Sequence, residues 1–426
     1  MRETIVHVPH EGWFGLQTFG FGWLFTVWVV ACVAWIVRLK LTGRGEEIKE
    51  YLPLAIVVSL VIAFLFPVLE KKDPVTEVML GIPIRGYGTF VAFGCIVGIG
   101  MATLRARRLG LNPDLIYSLA FVMFCGAMLG ARIFFVIQYR EQFDTWLEVV
   151  SFTEGGLVVY GALLGGVPAA LFFLRHHKQP ILAFGDLIAP SLLAGLALGR
   201  LGCLMNGCCY GGIAEGDWSL RFPPGSPPYM RQLENGRLLG LELEDELIEG
   251  KRKVKQVNPD SLAGKESIKV GDKIKIQSES AKMIKAMRGR PDDATPLVQV
   301  ELDDGQVVGW RYAQLPQHSL PVQPTQLLSS INAALLSAVL WFAFPYRTRN
   351  GQIVVVFLLA YPVTRFLLEI IRTDESAIMG TGFTISQLVS IGLIGTSFAL
   401  LALIRRGPKL DSSGPDDGSG TSDGQT

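Results

Sequence analysis

The chain reads as an all-α polytopic membrane protein of about nine transmembrane helices, with a small β-rich extracytoplasmic insertion. Three observations predict this class. Of 426 residues, 50% are hydrophobic and only 18% are charged, at a mean hydropathy of +0.37, a balance foreign to soluble globular domains. Nine apolar runs approach the roughly 20 residues that cross a ~30 Å hydrocarbon core. Residues 213–322, between the sixth and seventh runs, are charged and alternate in hydropathy instead.

The runs lie near residues 20–37, 52–69, 87–104, 114–138, 157–174, 181–205, 325–345, 352–371 and 384–404. Their orientation follows from Lys and Arg in the short loops. The first run is followed by Arg38, Lys40, Arg44 and Lys49, and the third by Arg105, Arg107 and Arg108. Arg175 and Lys178 follow the fifth, Arg347 and Arg349 the seventh, and Arg405, Arg406 and Lys409 the ninth. Every odd-numbered run therefore ends in a basic loop. The alternate loops are more acidic, with Glu141, Asp144, Glu148 and Glu154 after the fourth run and Asp374 and Glu375 after the eighth. The N-terminus is expected outside and the C-terminus inside. The formal net charge of +1 supplies no global field for nucleic acid. Val29-Val-Ala-Cys32 matches a lipoprotein cleavage box, but the apolar run continues through Val37, so we read it as a chance match within a spanning helix.

The insertion opens with Phe222-Pro-Pro-Gly-Ser-Pro-Pro228. Alternating segments beginning at Gly240, Lys253 and Ile268 predict short strands, followed by a helix over Ala281–Met287 and a strand over Leu297–Leu302. Over about residues 236–316 this order resembles a PDZ domain, the resemblance resting on Asn258-Pro-Asp-Ser-Leu-Ala and Val270-Gly-Asp-Lys-Ile. It implies an extracytoplasmic peptide partner bound by strand addition; the alternative is a β-rich insertion without a ligand. The tail 407–426 is rich in Gly, Ser, Asp and Pro and is expected to be disordered.

Ionisable residues within a span are costly and usually functional. Arg132 sits in the fourth run, Tyr160 near the start of the fifth, and Arg200 at the end of the sixth. The eighth carries Tyr361, Arg365, Glu369 and Arg372, a spacing that places them on one helical face. With the orientation above, all of these fall in the outer half of the bilayer. Each arginine alone fits snorkelling to the interface, whereas several from different helices at one depth fit a shared polar cavity. Paired guanidiniums suit a phosphate, and at that depth the phosphate is a phospholipid headgroup.

These residues resemble the prolipoprotein diacylglyceryl transferase family. The matching pieces are Arg85-Gly-Tyr-Gly, Gly130-Ala-Arg-Ile, Glu154-Gly-Gly with Tyr160-Gly, Asp186-Leu-Ile-Ala-Pro, Gly199-Arg-Leu-Gly with Asn206-Gly, Gln323-Pro-Thr-Gln-Leu, and Tyr361, Arg365, Glu369 and Arg372. The resemblance divides the chain into two additional helices (1–78), a first core part (79–212), the insertion (213–322), a second core part (323–406) and the tail (407–426). Runs three to nine supply the seven core helices. It implies transfer of the diacylglyceryl group of phosphatidylglycerol to the lipobox cysteine thiol of a prolipoprotein signal peptide, in the bacterial cytoplasmic (inner) membrane, with membrane lipid as surroundings and without a cofactor or metal. Carried over by position, Arg200 binds the headgroup with Asn206 beside it, and Arg365 stabilises the leaving phosphate. Glu369 orients the arginines, Tyr87 and Tyr361 line the cavity, and Arg132 joins the substrate-binding set.

The chain departs from the family pattern at the base. A histidine is usual where Tyr160 stands, and the five histidines here all lie outside the runs. A phenol is a poor base at neutral pH unless neighbouring cations, such as Arg200, favour the phenolate. Cys203, Cys208 and Cys209 allow three readings: a disulfide, 203 with 208; apolar packing; or a metal site, which lacks a nearby histidine or fourth sulfur. The rival to the enzyme is a non-catalytic phospholipid-binding protein with a peptide-binding outer domain. A transporter fits less well, since no internal repeat is evident.

Overall fold

A computed structural model describes residues 4–8, 22–43, 45–62, 71–72, 79–143, 158–248, 250–266, 268–287, 296–372 and 382–406. Among them, eight helices are long and apolar enough to cross a membrane. The chain starts with α1 (Gly22–Leu41) and α2 (Glu47–Leu60). Helix α2 has 14 residues, with Pro53 inside, and falls short of a span. The expected second run therefore begins as helix, and its end beyond residue 62 lies outside the described residues. The eight are counted among the described residues, and the ninth expected span rests on residues outside them.

The next four helices are α3 (Gly86–Arg108), α4 (Pro113–Gln138), α5 (Val159–His176) and α6 (Ile181–Asn206). Local chemistry sets their ends. Asn112 in extended backbone accepts from the Asp114 amide, and Pro113 occupies the first turn of α4, the start expected of a capped helix. Arg105, Arg107 and Arg108 close α3, where cations suit the helix dipole. After the insertion, whose short helices are α7 (Pro227–Glu234) and α8 (Ala281–Ala286), come α9 (Thr325–Ala343), α10 (Gln352–Ile371) and α11 (Ile385–Arg406).

The chain divides into two compact units. One comprises residues 93–197, 329–370 and 375–426. Its tightest crossing joins α4 and α5 through Gly126, Gly130, Gly161 and Gly165, where an added Cβ would strike the backbone of the facing helix. Helices approach this closely in lipid only when small residues face each other. Asp186 is fully buried and its carboxylate accepts from the amides of Gly351 (2.7 Å) and Val354 (2.9 Å). It thereby caps α10 from a different helix. Arg347 Nε lies 3.7 Å from the same carboxylate; burial pushes that guanidinium's pKa down and the Asp186 charge opposes the shift.

The other unit comprises residues 1–92, 198–328 and 371–374. It holds a small sheet that the hydropathy pattern did not announce: β1 (Thr4–Val8), β2 (Lys71–Lys72) and β3 (Met79–Arg85), ordered β1-β3-β2 and antiparallel. The insertion forms β4 (Leu241–Ile248), β5 (Lys251–Val257), β6 (Lys273–Ser278), β7 (Pro296–Leu302) and β8 (Val307–Arg311), an antiparallel sheet in sequential order. Helix α8 falls between β6 and β7, and Ser280 caps it by accepting from the Met283 amide. Val254, Ile274, Ile284, Val298 and Trp310 form its buried core. The expected strands and helix of this region are thus present, and β8 is additional. The expected disordered tail 407–426 lies outside the described residues.

Candidate active site

The polar residues expected within the spans fall in both units. In the unit containing α4, α5 and α11, one chain of hydrogen bonds runs between three helices. Arg365, on α10, pairs through Nη1 with Glu369 Oε2 at 2.7 Å, one turn on. Its Nη2 donates to Ser386 Oγ at 3.0 Å, and Ser386 Oγ lies 3.1 Å from the Tyr160 hydroxyl. Glu369 is 3% exposed. A buried carboxylate is tolerated there because the Arg365 guanidinium pairs with it. Ser386 was not among the residues singled out in the sequence. A serine in an apolar run is an ordinary sight, and only its position between Tyr160 and Arg365 marks it.

The consequence is electrostatic. Arg365 donates to the Ser386 oxygen, and the same oxygen shares a hydrogen bond with the Tyr160 hydroxyl in which either can donate. The Arg365 guanidinium thus stands two hydrogen bonds from the phenol oxygen. The partner that the structure gives Tyr160 is therefore Ser386, backed by Arg365.

Arg132 is 6% exposed, with its guanidinium over the rings of Phe135 and Phe143 at 5.5 and 5.4 Å. Tyr361 stacks on Phe357 with ring centroids 6.1 Å apart. The expected helical stripe is broken at its last member. Helix α10 ends at Ile371, and Arg372 forms an antiparallel bridge with Gly211.

The other unit holds Tyr87, Arg200 and Asn206. The start of α3 packs against α6 at Gly202, where an added Cβ would meet the Tyr87 carbonyl at 3.1 Å. The Tyr87 phenol lies within electrostatic range of Arg200 and of Cys203, Cys208 and Cys209. Asn206 ends α6 and lines a cleft of 430 Å³ with Pro227, Met230, Glu234, Ser280 and Lys285. The loop beyond it is stitched to the Gln323-Pro-Thr-Gln segment. Gly211 N–H donates to the Gln323 carbonyl and Gln323 N–H to the Gly212 carbonyl, both at 3.0 Å. Thr325 Oγ1 donates to the Cys209 carbonyl at 2.6 Å and Gln326 Nε2 to the Cys208 carbonyl at 2.8 Å. Two pieces of sequence more than a hundred residues apart thus fix one loop.

All six cysteines are free thiols, so of the three readings the disulfide of 203 with 208 is not the one present. The Cys209 thiol lies within electrostatic range of Arg200 and Arg372.

Comparison with known proteins agrees with these features. A family model described as prolipoprotein diacylglyceryl transferase matches residues 74–403, so α1 and α2 precede it. A protein of Rhodopirellula baltica named phosphatidylglycerol--prolipoprotein diacylglyceryl transferase is 36% identical over 96% of this chain and 90% of its own length. Proteins of the same name from Trichormus variabilis and Oceanobacillus iheyensis are 34% and 38% identical over 39% and 34% of this chain. Those alignments span 58% and 52% of the two relatives, just over half their length. The ordered motifs, the membrane-spanning helices and a match extending over nearly the whole length place this chain in the prolipoprotein diacylglyceryl transferase family.

Proposed function

We propose that the chain transfers the diacylglyceryl group of phosphatidylglycerol to the lipobox cysteine thiol of a prolipoprotein. The near full-length likeness to the Rhodopirellula transferase carries this reading. In the reaction the thiol sulfur attacks the glyceryl carbon bearing the phosphate ester. A C–S bond forms, the C–O bond to phosphate breaks, the thiol gives up its proton and glycerol phosphate departs with the bond's electron pair.

The roles follow from what such a step requires. Arg365 stabilises charge on the leaving phosphate, and Glu369 keeps its guanidinium in place. Tyr160 takes the thiol proton, its developing charge met by Ser386 and, behind it, Arg365. Arg200 binds the headgroup phosphate, with Asn206 beside it; Tyr87, Tyr361 and Arg132 line the substrate path. The location is the bacterial inner membrane, with the N-terminus outside and the C-terminus in the cytoplasm, supported by the basic loops after alternate runs. The insertion is a PDZ-like module that takes an extended peptide on its sheet edge, a reading supported by the order of its strands and helix.

Complementation of a transferase-deficient strain tests the assignment. The wild-type chain should restore thioether-linked lipid on a reporter lipoprotein and Arg200→Ala should not. Failure of the folded wild-type chain to attach lipid, or full lipidation by the variant, would overturn the activity or the role of Arg200, respectively.

A further inference from the structure

The chain after α6 gathers three sulfurs, and it does so through identifiable backbone devices. Helix α6 ends in a Schellman turn. Gly207 adopts a left-handed φ of 80°, its N–H reaches the Leu204 carbonyl, and the Cys208 N–H reaches the Cys203 carbonyl at 3.2 Å. That turn brings the side chains three residues before the cap and two after it into contact, normally as an apolar pair. Here both positions are cysteine. Cys209 then takes a left-handed φ of 59°, rare for a residue with a Cβ, and its thiol joins the other two. The three Sγ atoms all lie within 4.8 Å of one another and are half-buried.

The loop that carries them is held from outside. The Cys208 and Cys209 carbonyls are fixed by Gln326 and Thr325, both fully buried. A disulfide requires two sulfurs, and apolar packing does not require a strained third residue. Three converging soft donors on a fixed loop match a metal ion: with metal–thiolate bonds of ~2.3 Å, sulfurs around one ion stand ~4 Å apart.

We propose that Cys203, Cys208 and Cys209 form a three-coordinate site for one soft, thiophilic cation, copper(I). Thiolates select copper(I) and zinc among the common ions. A structural zinc requires a fourth protein donor, and among the described residues no histidine or carboxylate joins the cluster. Each thiol releases its proton to solvent on binding. Three thiolates and one copper(I) leave a net charge of −2, which Arg200 and Arg372, within electrostatic range of Cys209, oppose. The ion would staple the end of α6 to the loop behind it.

The test uses the full-length reduced protein in detergent, without oxygen, titrated with copper(I) against a competing chelator. One copper per chain is expected, with a thiolate-to-copper ultraviolet band. Cys203→Ser, Cys208→Ser and Cys209→Ser should each weaken binding at least ~10-fold, about 1.4 kcal/mol, while Cys95→Ser and Cys125→Ser leave it unchanged. Alkylation mapped by mass spectrometry on the wild-type chain answers the same question should a variant fail to fold: copper(I) should protect Cys203, Cys208 and Cys209 and leave Cys95 and Cys125 reactive. Failure of the wild type to compete for copper, retention of copper by the triple serine variant, protection of two of the three thiols, or preference for zinc would each overturn the proposal.

Discussion

Arg365→Lys separates the charge of Arg365 from its shape. The guanidinium uses Nη1 for Glu369 at 2.7 Å and Nη2 for Ser386 at 3.0 Å. A lysine ammonium is a compact charge on a flexible stem, and it can keep the Glu369 partner but cannot span both. The ion pair survives, so folding should change little, whereas one charge-assisted hydrogen bond is lost from the link to Tyr160. Such a bond is worth about 1.5–3 kcal/mol. At 1.36 kcal/mol per decade this is ~10–150-fold in kcat. The assay is turnover in proteoliposomes of phosphatidylglycerol with a lipobox peptide, scored as thioether-linked lipid by mass spectrometry, with a thermal melt in parallel. Wild-type kcat in a folded Arg365→Lys protein would refute the reasoning, as would a loss that only tracks the folded fraction.

Tyr160→Phe keeps the ring and removes the hydroxyl, so turnover should fall ~10²–10⁴-fold, the usual contribution of a proton-transfer group; turnover at the wild-type rate would show that another group takes the thiol proton. Ser386→Ala should slow turnover at unchanged KM because it disconnects Tyr160 from Arg365 while touching no substrate, and a KM effect alone would argue against the relay. Asp186→Asn removes the charge that faces Arg347 and leaves an amide opposite a backbone donor. It should cost about 3–5 kcal/mol, as when a buried pair loses one partner, seen as a lower melting temperature. Gly165→Ala pushes a methyl into the backbone of α4; overpacking of this kind costs about 1–3 kcal/mol, and an unchanged melt would mean that the two helices can separate freely.

Much of this protein was legible along the chain, because its main signals are local. Spans declare themselves by length and apolarity, and eight of the expected runs appear as helices of that kind. Residues 361, 365 and 369 share a face because the helix repeat places every fourth residue there, so the Arg365–Glu369 pair could be read from spacing alone. Alternation likewise marked most strands of the insertion. The sheet of β1, β2 and β3 escaped notice because β2 has only two residues and β1 pairs with β3 across the whole of α1 and α2.

What the sequence determined by itself is therefore the membrane class, the family motifs and the polar residues of each span. Tertiary structure alone decided which of them meet. Ser386 gained its place by lying 226 residues from Tyr160 yet 3.1 Å from its hydroxyl. Asp186 proved to be a cap for a helix that begins 166 residues later. The cysteines of residues 203–209 became a convergent trio only through a Schellman turn and a strained Cys209. The physical reason is common to all three. Hydropathy and periodicity report on one element at a time, whereas a hydrogen bond across helices or a cluster of thiols depends on backbone geometry and packing that no single stretch encodes.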